Sequence, residues 1–148
     1  MPRTRIQFES YVAVLEAFNQ EYGRYPAFFQ GRESVNLAEL PDIKSYVAAF
    51  SGDSIDGVRN HNAARAAGNR KCITFYSFPE HEWQTPKGWD YPTIVDGFGN
   101  PNIVLVVDQN GDGKITLPID GVPTEVNGRV VVYSIADDPK QAFSTYRP

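Results

Sequence analysis

Apolar positions recur every three or four residues in the first part of the chain, then give way to short runs and alternation. Phe8, Tyr11, Val12, Leu15, Phe18 and Tyr22 keep the helical step, with Glu9, Ser10, Glu16, Asn19 and Gln20 filling much of the other side. The spacing predicts an amphipathic helix ending near Tyr22. Gly23 suits a left-handed cap there, and Pro26 forbids continuation. A shorter helix follows, with Pro41 in its first turn, Asp42 at its positive end, Ile43, Tyr46, Val47 and Phe50 on its buried face, and Gly52 as its stop. Residues 51–70 read as a polar loop with a helical turn at 63–67.

Beyond the loop the pattern is that of strands. Residues 72–78 read as one strand, and 79–92 as a loop studded with Trp83, Trp89 and Tyr91. Residues 103–107 form a continuous apolar strand, and 115–117 another. Residues 122–126 and 129–134 flank Asn127-Gly128, the favoured pair for a two-residue hairpin turn. The tail, 137–148, reads as polar and irregular. Helices first and strands after predict an α+β fold, in which the N-terminal amphipathic helix and the shorter second helix pack on a small antiparallel sheet. The length of 148 residues suits one domain, with 1–23 as helix, 51–92 as a long loop region and 93–136 as the β-region.

Composition narrows the partners. The net charge is −4 with no basic tract, which argues against nucleic acid. The longest unbroken apolar runs have five residues, whereas a spanning helix needs about 20. Cys72 is the single cysteine, so an internal disulfide is excluded, and its setting reads as that of a buried thiol. His81-Glu82 is not followed by a second His one helical turn on, and His61 lies in the polar loop. With no nucleophile elbow and no phosphate-cradling glycine loop either, no enzyme is expected.

One loop carries metal chemistry. Asp108, Asn110 and Asp112 occupy alternate positions and are followed by Gly113. This is the first half of a calcium loop: alternate residues aim hard oxygens inward, and the glycine permits the sharp turn. The carbonyl of Lys114 takes the next position. The closing position holds Ile119, so Asp120 is the candidate closing carboxylate, reached by a slightly different loop path. Strands on both flanks exclude a helix-opening sensor and leave a structural calcium clip, or a turn whose polar residues only satisfy its geometry.

Three phrases together resemble the globular domains of type IV pilin-like proteins, most closely the type II secretion pseudopilins. They are Glu21-Tyr22-Gly23-Arg24-Tyr25-Pro26 at the end of the first helix, Asp96-Gly97-Phe98-Gly99-Asn100-Pro101, and Tyr133-Ser134-Ile135-Ala136-Asp137-Asp138. They are similar to the family's "Y-x-x-x-G-x-Y-P", "D-P-W-G-N-P-Y" and "F-S-x-G-x-D-G" segments and stand in the family's order. Gly97 replaces a Pro, Phe98 a Trp and Asn102 an aromatic; Ala136 and Asp138 stand where Gly is usual. Residues 51–92 match poorly and look like an insertion. The phrases also have readings of their own: Gly97 and Gly99 supply backbone angles that other residues resist, and Phe98 plugs the core edge.

The resemblance implies a non-catalytic filament subunit with a calcium-stabilised loop. It also implies other pilin-like subunits as partners and an extracytoplasmic, periplasmic setting. A lost apolar half of the first helix would anchor the subunit in the inner membrane, with Met1 added to a cut body. The alternative is a calcium-dependent extracytoplasmic module that binds glycan or protein through Trp83, Trp89 and Tyr91.

Overall fold

A long helix sets the frame. The computed structural model describes residues 2–52 and 61–147, the side chain of Pro2 excepted. Helix α1 runs Pro2–Tyr22. Its inner face buries Phe8, Tyr11, Val14, Leu15 and Phe18, each such side chain being worth about 1.5–3 kcal/mol. The helix stops as expected: Gly23 takes φ 73°, and its N–H donates to the Asn19 carbonyl at 2.7 Å.

Short elements follow, beginning with a 3-10 turn at Ala27–Phe29. Strand β1 is Ser34–Asn36, and a 3-10 turn at Leu37–Glu39 leads to helix α2, Ile43–Ser51. Pro41 lies ahead of α2 rather than in its first turn, because Asp42 is the N-cap and its carboxylate accepts the Lys44 N–H at 2.9 Å. Gly52 ends α2 with φ 73°, and a Cβ there would fall 2.6 Å from the Cys72 carbonyl oxygen. Helix α3, His61–Ala66, matches the helical turn read in the polar loop. Residues 53–60 of that loop lie outside the described residues.

The expected strand at 72–78 does not form. Cys72 adopts φ 55°, and the carbonyl of Phe50 takes the N–H groups of both Phe75 and Tyr76, at 2.9 and 3.0 Å. The segment caps α2 instead of joining a sheet. Its aromatics Phe75, Tyr76 and Phe78 still pack against the core. The aromatic loop contains a small ladder, β2 (Trp83–Gln84) paired antiparallel with β3 (Thr93–Ile94).

The main sheet has three antiparallel strands in the order β1-β4-β7, with β4 at Ile103–Val107 and β7 at Val130–Ser134. All five residues of β4 are buried, and the reason lies in two layers. Ile103, Leu105 and Val107 face the core shared with α1, while Val104 and Val106 face a second cluster with Ile115, Leu117 and Val131. A hairpin of β5 (Lys114–Ile119) and β6 (Val122–Asn127) covers that second face. A strand covered on both sides needs no polar alternation.

The hairpin turn is displaced from the expected pair. β6 pairs with β5 and not with β7, so Asn127-Gly128 carries the chain from one layer to the other. The two-residue turn is Asp120-Gly121, at φ 51° and 77°, as a type I′ geometry demands. The tail is irregular but engaged: Ser144 bridges Tyr133, and the Ser134 N–H donates to the Phe143 carbonyl at 2.9 Å.

Candidate metal loop, aromatic groove and buried carboxylate

The loop after β4 is built around one carboxylate. Asp108 is nearly buried; its Oδ1 accepts the Gly111 N–H at 3.0 Å and its Oδ2 the Gly113 N–H at 2.7 Å. Asn110 Oδ1 accepts the Asp112 N–H at 3.3 Å, and Asp112 Oδ1 accepts the Lys114 N–H at 2.9 Å. Gly111 and Gly113 hold φ 75° and 78°, which the tight path requires. Asp108, Asn110 and Asp112 therefore share one turn, as their spacing predicted. A carboxylate offers about four lone-pair sites, so these bonds leave oxygen capacity on Asp108 and Asp112.

Asp120 is elsewhere. It occupies the tip of the β5–β6 hairpin, at the end remote from Lys114. Six residues at roughly 3.3 Å each place it roughly 20 Å from the loop. The structure thus groups Asp108, Asn110, Asp112 and the Lys114 backbone and leaves Asp120 apart. The Lys114 ammonium sits 3.6 Å from Glu125 across the ladder. The Asp108–Gly113 loop also walls a polar cleft of about 600 Å³, with Glu16 and Gln20 of α1, Tyr25 and Arg129 around it. Burial, then the negative charges of Asp108 and Glu16, push the Tyr25 phenol upward.

The turn 96–101 docks on the first turns of α1. Asp96 Oδ1 accepts the N–H groups of Phe98 and Asn100, at 2.8 and 3.0 Å. The Gly97 N–H donates to Thr4 Oγ1 at 3.0 Å, and a Cβ on Gly97 would lie 2.7 Å from that oxygen. Gly97 is therefore a matter of space and not of backbone angle, whereas Gly99 does take φ 78°. Phe98 does not plug the core edge; it is 41% exposed.

A buried carboxylate was not anticipated from the sequence. Glu82 accepts hydrogen bonds from the hydroxyls of Tyr11 and Tyr76, one on each carboxylate oxygen. Gln7 Nε2 donates to Tyr11 Oη at 2.9 Å and to the Val95 carbonyl at 2.8 Å. Burial pushes the Glu82 carboxyl up, and the two tyrosine hydrogen bonds pull it back only in part. The available signal was Thr4 and Gln7, polar residues at helical step on the apolar stripe of α1. His81 beside it is exposed.

The aromatic loop divides in two. Trp83 packs against the core, as a lid would. Trp89 and Tyr91 join neither core cluster; their rings lie 5.3 Å apart, and Tyr91 is 60% exposed. All three aromatics line a groove of about 490 Å³ against Leu37, Leu40 and Ile43. No membrane-spanning helix occurs among the described residues. Comparison with protein-family models, curated proteins and solved structures gave no match.

Proposed function

We propose that this chain is the globular domain of a non-catalytic, type IV pilin-like filament subunit, nearest in kind to a type II secretion pseudopilin. One observation carries the reading. A continuous helix of 21 residues lies over a three-stranded antiparallel sheet, and the turn 96–101 ties the first turns of that helix to the start of the central strand. The helix buries one face in its own domain and leaves Ile6, at 64% exposed, and Ala13 on the outward side. In this reading that side packs against neighbouring subunits, and the helix continues upstream into an apolar half seated in the inner membrane, with the domain on the periplasmic side.

Calcium belongs to the same reading. Asp108, Asn110, Asp112 and the Lys114 carbonyl would hold it, with water completing the six to eight oxygens the ion takes. The fit rests on the free oxygen capacity of Asp108 and Asp112 within one turn. When bound, the ion would neutralise two close carboxylates and stiffen the link between β4 and β5.

The test is the gene upstream of the Met1 codon, together with fractionation of the full-length product. An apolar stretch of about 20 residues continuous with α1, preceded by a prepilin-peptidase site, supports the reading. So does co-sedimentation with sheared filaments or the inner membrane. Another folded domain joined at that point, or a full-length product that stays in the soluble fraction, overturns it.

A further inference from the structure

We propose that Asn110 is a self-modification site, at which the loop after β4 converts its own asparagine to aspartate or isoaspartate through a cyclic imide and releases ammonia. This goes beyond the filament reading and does not depend on it. The chain has two Asn-Gly pairs, Asn110-Gly111 and Asn127-Gly128. In both, the glycine has no side chain to shield its nitrogen, so by sequence the two are equal candidates. The fold treats them differently.

At Asn110 the groups that the reaction needs stand around the reacting atoms. The attacking atom is the Gly111 nitrogen, whose N–H donates to Asp108 Oδ1 at 3.0 Å. A carboxylate on that hydrogen is a base already in place beside the nucleophile. The atom attacked is the side-chain amide carbon of Asn110. Its Oδ1 accepts the Asp112 N–H at 3.3 Å, and closing that turn curls the amide back over the Gly111 nitrogen that the turn encloses. The same Asp112 N–H sits on the oxygen that gains negative charge during attack. Asn110 is exposed, so water reaches the ring that results.

Asn127 has a different setting. It ends strand β6, in register with Lys114, so its backbone is extended and part of a ladder. The Gly128 N–H donates to the Gly113 carbonyl at 2.9 Å, a neutral acceptor that does not take the proton.

The steps balance with water as the one added reactant. The Gly111 nitrogen bonds to Asn110 Cγ as its proton passes to Asp108. The Cγ–Nδ2 bond then breaks, and Asp108 returns the proton to the departing nitrogen, which leaves as ammonia. Water opens the imide at either carbonyl and leaves aspartate or isoaspartate at position 110. Both products add a negative charge beside Asp108 and Asp112, and isoaspartate also lengthens the main chain by a methylene. The change runs one way, so the link between β4 and β5 alters with the age of the molecule.

The experiment follows the whole chain over days in neutral buffer with chelator. Samples are quenched in mild acid and digested, and the peptides are read by mass spectrometry. Asn110 is expected to show first the imide, lighter by one ammonia, and then the acid. Its rate in the native chain should exceed that of Asn127 by at least about tenfold and should match or exceed its own rate in the urea-unfolded chain. Asp108→Asn, which keeps an oxygen acceptor and removes the base, should slow Asn110 by about tenfold and leave Asn127 unchanged. The comparison with the unfolded chain uses the parent alone, so any loosening of the loop in the variant cannot mask the result. The proposal is overturned if Asn110 reacts no faster than Asn127 in the native chain, if folding slows it, or if Asp108→Asn reacts as fast as the parent.

Discussion

Single residues here do work that their chemistry explains and their neighbours in sequence do not. Gly97 lies against Thr4 of α1, so Gly97→Ala forces the turn and the helix apart. A loss of about 1–3 kcal/mol is expected, read by urea unfolding. Thr4→Ala removes the hydroxyl that the added methyl meets and should recover part of that loss. Asn69 is fully buried and has every polar position used: Nδ2 donates to the Ala49 and Ile73 carbonyls, and Oδ1 accepts from the Ile73 N–H and the Tyr22 hydroxyl. Asn69→Leu strands these groups in the core. It should cost more than about 3 kcal/mol, since each unpaired buried group costs about 1–3. Glu82 makes stability depend on pH. Burial raises its carboxyl in the folded chain, so folding favours the protonated form relative to the unfolded chain. The stability this confers is full below the ordinary glutamate value and declines as pH rises through the raised one. Asp96, also raised by burial, acts in the same direction. Melting temperature against pH should show that decline, and Glu82→Gln should flatten it. An unchanged slope in the variant would refute the assignment.

At the level of elements, caps and turns decide where each piece begins and ends. The Asp42 cap holds the start of α2, and Asp42→Ala should lower stability by about 1 kcal/mol. The β5–β6 hairpin depends on Asp120-Gly121, so Gly121→Ala, at φ 77°, should cost about 1–2 kcal/mol. The same placement separates Asp120 from any metal chemistry in the 108–113 loop, and Asp120→Ala should leave a calcium response untouched.

For the whole molecule, the loop offers two separable effects. Asp108 ties down two backbone N–H groups by itself, so Asp108→Ala should destabilise the chain even in chelator. Asp112→Ala should act chiefly on the calcium increment. For a site with a dissociation constant of about 1 mM, 10 mM calcium adds about 1.4 kcal/mol, or roughly 2–4 °C in melting temperature. No shift in the parent chain removes calcium from the account, and a full shift in Asp112→Ala reassigns the ligands.

The amino-acid order by itself determined where α1 and α2 lie and where each stops, while the start of α2 was read one turn position early, at Pro41. The 3.6-residue stripe of α1, the Gly23 and Gly52 stops, and the apolar run of β4 are local signals, readable within a few residues. The turn that gathers Asp108, Asn110 and Asp112 was readable for the same reason. What the order left open were choices between alternatives of equal local merit. Asn127-Gly128 and Asp120-Gly121 are both good hairpin pairs, and the burial of Val104 and Val106 under β5–β6 selected the second. The aromatics at 75, 76 and 78 suit a strand, but the free carbonyl of Phe50 claimed the backbone N–H groups of Phe75 and Tyr76. Glu82 could have been one more surface acid until Tyr11 and Tyr76 closed over it. Only the tertiary structure decided these, because each depends on a partner far away in sequence, and burial in a shared core sets which partner is met.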